Sequence, residues 1–142
     1  MTIFTLIEPA TKTVRNVERD NIDAALRCID LKAGEVDHAM ITKHLGIVVE
    51  QYGMFKPPSD QAYTAIAGVL FAGNALVYGV GDMGETVDGM DAHALATACI
   101  FLPDGDHVER AISKGLVMRP CMTLNGQTIW LWPAPRPKGF GP

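Results

Sequence analysis

The stretch "TIFTLIE", residues 2–8, is a run of apolar and β-branched residues that predicts a strand. "PATKT" follows as a turn and "TVRNVE" as a second, loosely alternating strand, so residues 2–19 read as a hairpin. Asp20 or Asn21 then caps a helix whose apolar face carries Ile22, Ala25, Leu26 and Ile29, and Gly34 closes the segment after it. "HAMITKHLGIVVEQYG" reads as two strands joined near Leu45-Gly46, and "KPPSD" is a clear break because proline removes donors and fixes φ. "AYTAIAGVLFAGNALVYG" gives one or two buried strands with a turn at Ala72-Gly73-Asn74. Asp91 is placed to cap a short helix running through His93, Leu95, Ala96 and Cys99 and ended by Pro103–Asp106, with "HVERAISKG" a second short helix.

The sharpest local signal is "MTLNGQTIWLW". Asn125-Gly126 supplies positive φ at both centres of a type I′ turn between two β-like runs. The tail after it has Pro133, Pro135, Pro137 and Pro142 and reads as extended, polyproline-like chain. Together these elements predict one α+β domain over residues 1–132, an antiparallel or mixed sheet with two or three short helices and a C-terminal hairpin, followed by a Pro-rich tail over 133–142.

Composition narrows the class. The chain has 142 residues, 48% of them hydrophobic and 20% charged, which is enough to form a core without disulfide staples. A net charge of −4 argues against direct nucleic-acid binding, which needs a basic surface. No signal peptide is seen, and no run reaches the roughly 18 apolar residues of a spanning helix. Cys28, Cys99 and Cys121 lie far apart and read as reduced core thiols, so a cytoplasmic protein with no membrane contact is expected.

The chemical motifs are mostly decoys. Gly79, Gly81 and Gly84 have the spacing G-x-G-x-x-G after an apolar run, as in a dinucleotide-binding loop. That loop needs a long helix after the last glycine, however, and "ETVDG" is a poor start for one, while Asp82 would repel a phosphate. A turn after a buried strand is the expectation. Asp82, Glu85, Asp88 and Asp91 recur every three residues but do not form a calcium loop, and His38, His44, His93 and His107 lack ligand spacing. Ser59 and Ser113 sit in no nucleophile elbow. No catalytic residue, metal ligand or cofactor site is assigned; a Cys99 or Cys121 nucleophile meeting a histidine in space stays open.

Arg15, Arg19, Arg27, Arg119 and Arg136 are dispersed and read as solvated or ion-paired. The candidate interface residues are Trp130, Trp132, Arg136 and Phe140. Trp130 and Trp132 share one strand face, the first expected in the core and the second exposed or under the tail. Aromatic and arginine side chains are common anchors of protein contacts, here with another subunit or another protein.

Ile7-Glu8-Pro9, "FAGNALV" at 71–77, Gly79 and "GETV" at 84–87 together resemble a family of small uncharacterised proteins of tailed phages and prophages. The likeness covers about residues 3–102. It implies a phage accessory protein in the bacterial host cytoplasm, with glycines that set strand and turn geometry, and it transfers no catalytic residue. The expected function is a non-catalytic binder of a host protein or complex, most concretely an anti-CRISPR-like inhibitor of a bacterial defence system, with self-association into a homo-oligomer also expected. The alternatives are a small-molecule sponge for nucleotide signals and a Cys/His enzyme.

Overall fold

The computed structural model describes residues 1–56 and 61–131. β1 (Thr2–Glu8) and β2 (Thr13–Arg19) form the expected N-terminal hairpin, in register from Thr2↔Arg19 to Glu8↔Thr13. β1 also pairs with β7 (Ala75–Val80), β7 with β4 (Leu45–Glu50), and β4 with β3 (Val36–Thr42). The result is an antiparallel sheet in the order β2-β1-β7-β4-β3, with the short β8 (Thr86–Val87) added to β7 beyond the end of β1. A second antiparallel sheet has the order β6-β5-β9, from β5 (Tyr63–Ile66), β6 (Val69–Ala72) and β9 (Cys99–Leu102).

Among the described residues three α-helices complete an α+β single domain: α1 (Ile22–Leu26), α2 (Ala92–Ala98) and α3 (Gly105–Ser113). Each begins on a side-chain cap. Asn21 Oδ1 accepts from Ala24 N at 2.9 Å, Asp91 Oδ2 from Ala94 N at 3.1 Å, and Asp104 Oδ1 from His107 N at 3.0 Å.

The layers follow from strand alternation. Phe4, Leu6, Val48 and Leu76 face α1 and the turn after it, where Leu26 and Ile29 cover them. Ile7, Ile47, Ala75 and Val77 face the other way and pack with Ile66 of the second sheet and Leu95 of α2. The far side of the second sheet, Tyr63, Leu70 and Leu102, is closed by Val108 and Ala111 of α3. The central strands of the large sheet are therefore buried on both faces, which is why "TIFTLIE" reads as a nearly continuous apolar run.

A polar clamp fixes α2 to this frame. Asn16 Nδ2 donates to Thr5 Oγ1 and to Met90 O, both at 3.1 Å, and Asn16 Oδ1 accepts from Ala92 N at 2.8 Å. Thr5 Oγ1 is buried and donates to Met90 O at 2.7 Å.

Several expectations are corrected. The β3–β4 turn lies at Lys43-His44, two residues before the expected junction, with a register shift between Met40 and Thr42. Residues 62–79 hold three strands shared between two sheets, because Ala67 and Gly68 turn the chain with φ of 53° and 79°. Ile29, expected on the face of the first helix, lies beyond its end in a 3-10 turn, Arg27–Ile29, that leads to Asp30 at φ 57°, and Leu31 N bonds back to Leu26 O. Cys99 starts a strand instead of ending a helix. The C-terminal hairpin joins neither sheet. Ser59 and the tail over 133–142 lie outside the described residues.

Candidate functional site

The hairpin of β10 (Cys121–Leu124) and β11 (Gln127–Trp130) stands as a two-stranded sheet of its own. Asn125 at φ 50° and Gly126 at φ 78° form the expected two-residue turn, which sets the register Leu124↔Gln127, Thr123↔Thr128, Met122↔Ile129 and Cys121↔Trp130. Gly126 has open space around it, so positive φ, not crowding, is what requires glycine there.

Its base is fixed to the domain. Arg119 makes a two-pronged ion pair with Glu109 of α3, Nη1 to Oε1 at 3.0 Å and Nη2 to Oε2 at 3.1 Å. Met118 N donates to Gly68 O at 3.0 Å, and Leu131 N to Pro120 O at 3.1 Å. A groove of about 260 Å³ lies beside this base, lined mainly by apolar side chains, among them Met54, Val69, Met118, Pro120 and Leu131.

Beyond the base, all eight strand residues are exposed. Residues paired across the ladder share a face. One face carries Met122, Leu124, Gln127 and Ile129; the other carries Cys121, Thr123, Thr128 and Trp130. Leu124 is 52% exposed and Trp130 45%. Trp130 therefore does not enter the core, contrary to expectation, because the hairpin turns away from both sheets. No residue from 120 to 131 is charged. Trp132, Arg136 and Phe140 lie outside the described residues. Sequence reasoning missed Met122, Leu124 and Ile129; the alternation was visible, but nothing local says that an apolar strand lacks cover.

The remaining candidates resolve into structural roles. The glycine motif is the hairpin from β7 to β8, since Gly81 N donates to Glu85 O at 2.8 Å and Gly84 N to Gly81 O at 3.0 Å. A strand follows Gly84 where a dinucleotide loop would have a helix. Of the acidic row, Asp88 Oδ1 accepts from Ile3 N at 2.9 Å and Asp91 caps α2. His38 meets the edge of the Tyr78 ring, His44 sits 3.1 Å from Val80 O, and His107 Nδ1 lies 2.8 Å from Asp104 Oδ1. Arg15 pairs with Glu8 at 3.4 Å. Ser113 Oγ donates to Glu109 O one turn back on α3.

The three thiols are free; Cys28 and Cys99 are half-buried, and Cys121 is exposed, which corrects the reading of all three as core residues. Burial pushes the Cys99 thiol up, which opposes thiolate formation. Among the described residues no group of three or more His, Cys, Asp or Glu comes together to hold a metal, and no helix is long and apolar enough to cross a membrane. No protein-family model, curated protein or solved structure matches the chain.

Proposed function

We propose that this protein acts by binding rather than by chemistry, and that it engages a host protein through the Trp130 face of its C-terminal hairpin. The observation that carries this reading is the exposure of Trp130 on an uncharged hairpin anchored to the domain by the Arg119–Glu109 pair. A half-exposed tryptophan held on a paired strand loses little freedom on docking and offers a large apolar contact, as binding hot spots do. The resemblance to phage proteins supplies the setting, the bacterial host cytoplasm, and makes inhibition of a defence complex the most concrete form of the activity. The groove at the hairpin base has mainly apolar walls, with Arg119 among them, and suits an apolar side chain of a partner.

The test compares the full chain with its Trp130→Ala variant. Each is used to retain host proteins, and the retained protein is then purified and titrated by calorimetry. Stoichiometric binding that weakens by at least about tenfold in the variant supports the reading. Equal binding by both chains removes the hairpin from it.

A further inference from the structure

We infer that Asn125 is a site of spontaneous covalent modification. Gly126 N closes on the Asn125 side chain, the amide is lost as ammonia, and the isoaspartate that results dismantles the hairpin turn and with it the Trp130 surface. The last step rests on reading the hairpin as the contact element; the modification itself does not.

Anchoring singles this residue out. The chain has four asparagines, Asn16, Asn21, Asn74 and Asn125. Asn16 is held in the clamp to Thr5, Met90 and Ala92, Asn21 caps α1, and Asn74 Nδ2 donates to Ile29 O at 3.3 Å. The Asn125 side chain makes no hydrogen bond among the described residues. The following residue matters as much, because its backbone nitrogen is the nucleophile. Val17 and Ile22 crowd that atom with β-branched side chains, and Ala75 is fully buried. Gly126 is exposed, and nothing lies within 4 Å of the place where a Cβ would sit.

The atoms balance with water as the only co-reactant. The deprotonated Gly126 nitrogen forms a bond to Asn125 Cγ, the Cγ–Nδ2 bond breaks, and the leaving nitrogen takes up protons as ammonia. Water then opens the cyclic imide. Attack at Cγ gives aspartate. Attack at the backbone carbonyl carbon gives isoaspartate, in which the chain runs through the former side chain and is one methylene longer.

Ring closure needs Asn125 Cγ and Gly126 N to swing together, away from the left-handed pair, φ 50° and 78°, that the turn requires. Opening of the turn therefore gates the reaction. The hairpin joins neither sheet, and two strands alone are marginal in water, so this opening needs no global unfolding. The product changes the surface in two ways. Residues 120–131 carry no charge, and either product sets a carboxylate at the tip. Isoaspartate also lengthens the turn that sets the register from Leu124↔Gln127 to Cys121↔Trp130. A bound partner that holds the turn shut slows the reaction, so the site records how long a chain has stood unbound.

Incubation of the full chain at neutral and at mildly alkaline pH, with peptide mapping by mass spectrometry at intervals, tests this. A mass gain of one unit at Asn125 is expected, rising with pH and at least about tenfold faster than at Asn16, Asn21 or Asn74. Asn125→Gln can close only a larger, slower ring and is expected to show no gain at that peptide. Fragmentation across N–Cα bonds separates isoaspartate from aspartate, and the amide shifts of residues 121–130 report the hairpin. The isoaspartate fraction is expected to lose the folded-hairpin shifts. Freshly made Asn125→Asp, which has the charge without the added methylene, is expected to keep them. Conversion at Asn125 no faster than at the other three asparagines overturns the inference, as does an isoaspartate fraction with an intact hairpin. Either failure leaves Trp130 free to bind a host protein, whereas conversion as expected beside unchanged host binding by Trp130→Ala would remove the functional reading alone.

Discussion

A Cβ placed on Gly79 would fall on the carbonyl oxygen of Asp88, with the Val87 carbonyl oxygen 2.9 Å away. The obstacle is backbone on both counts, so no side chain can swing aside. Gly84, five residues on, meets nothing within 4 Å but holds φ at +81°. The two glycines of one motif are thus required for different reasons. Gly79→Ala is expected to cost about 3 kcal/mol as overpacking of the β7–β8 contact, and Gly84→Ala about 1 kcal/mol as left-handed strain. Urea denaturation of both variants checks the order; a milder effect at Gly79 would show that β8 does not lie against β7.

Thr64 is fully buried between the two sheets, and its hydroxyl has no hydrogen-bond partner among the described residues, whereas the equally buried Thr5 donates to Met90 O. An orphan buried hydroxyl lowers stability, and valine has nearly the same shape. Thr64→Val is expected to stabilise the fold by about 1 kcal/mol, and Thr5→Val to destabilise it. Thermal melts of the two variants moving in the same direction would contradict the assignment.

The separation of the hairpin from both sheets decides what Gly126→Val does. A β-branched residue at φ 78° disfavours the turn, but the core clusters contain no residue of β10 or β11. Hydrogen exchange is expected to lose protection over residues 121–130 while the global unfolding midpoint barely moves. A large fall in that midpoint would mean that the hairpin is part of the core.

Asp104 caps α3 and pairs with His107. Its carboxyl is held below the ordinary value, first by the hydrogen bond from the His107 side chain and then by that from the His107 backbone N–H. A depressed carboxyl favours the charged, folded form. That contribution is complete above the unfolded-state pKa and fades as pH falls through the lower folded-state value. Stability of the natural chain and of Asp104→Ala should therefore differ at neutral pH and converge in acid. A gap that persists to the lowest pH would assign the effect to something other than the carboxylate.

Local signals in the sequence placed the N-terminal hairpin, the Asp91 cap and the Asn125-Gly126 turn, because each depends on residues within a few positions of one another. The β5–β6 turn escaped because Ala67 occupies a positive-φ position where asparagine or aspartate would have announced it. β9 escaped because the alanine-rich α2 runs into "CIFL" with no breaker between them. The division into two sheets, and the standing of the hairpin apart from both, are set by long-range packing that no short window records. For the same reason Trp130 reads as a core residue by composition and is exposed in the fold.

The central claim is that this protein meets other proteins through its C-terminal hairpin. Two protrusions can be compared directly: Trp130 on that hairpin, and Met83, 91% exposed at the tip of the β7–β8 turn. A photo-crosslinking amino acid placed at position 130 or at position 83 in cells that produce the protein, followed by mass spectrometry of the adducts, measures which of them touches a partner. A discrete protein adduct from position 130 and none from position 83 is the predicted result. Adducts from position 83 alone, or equal adducts from both, would contradict it.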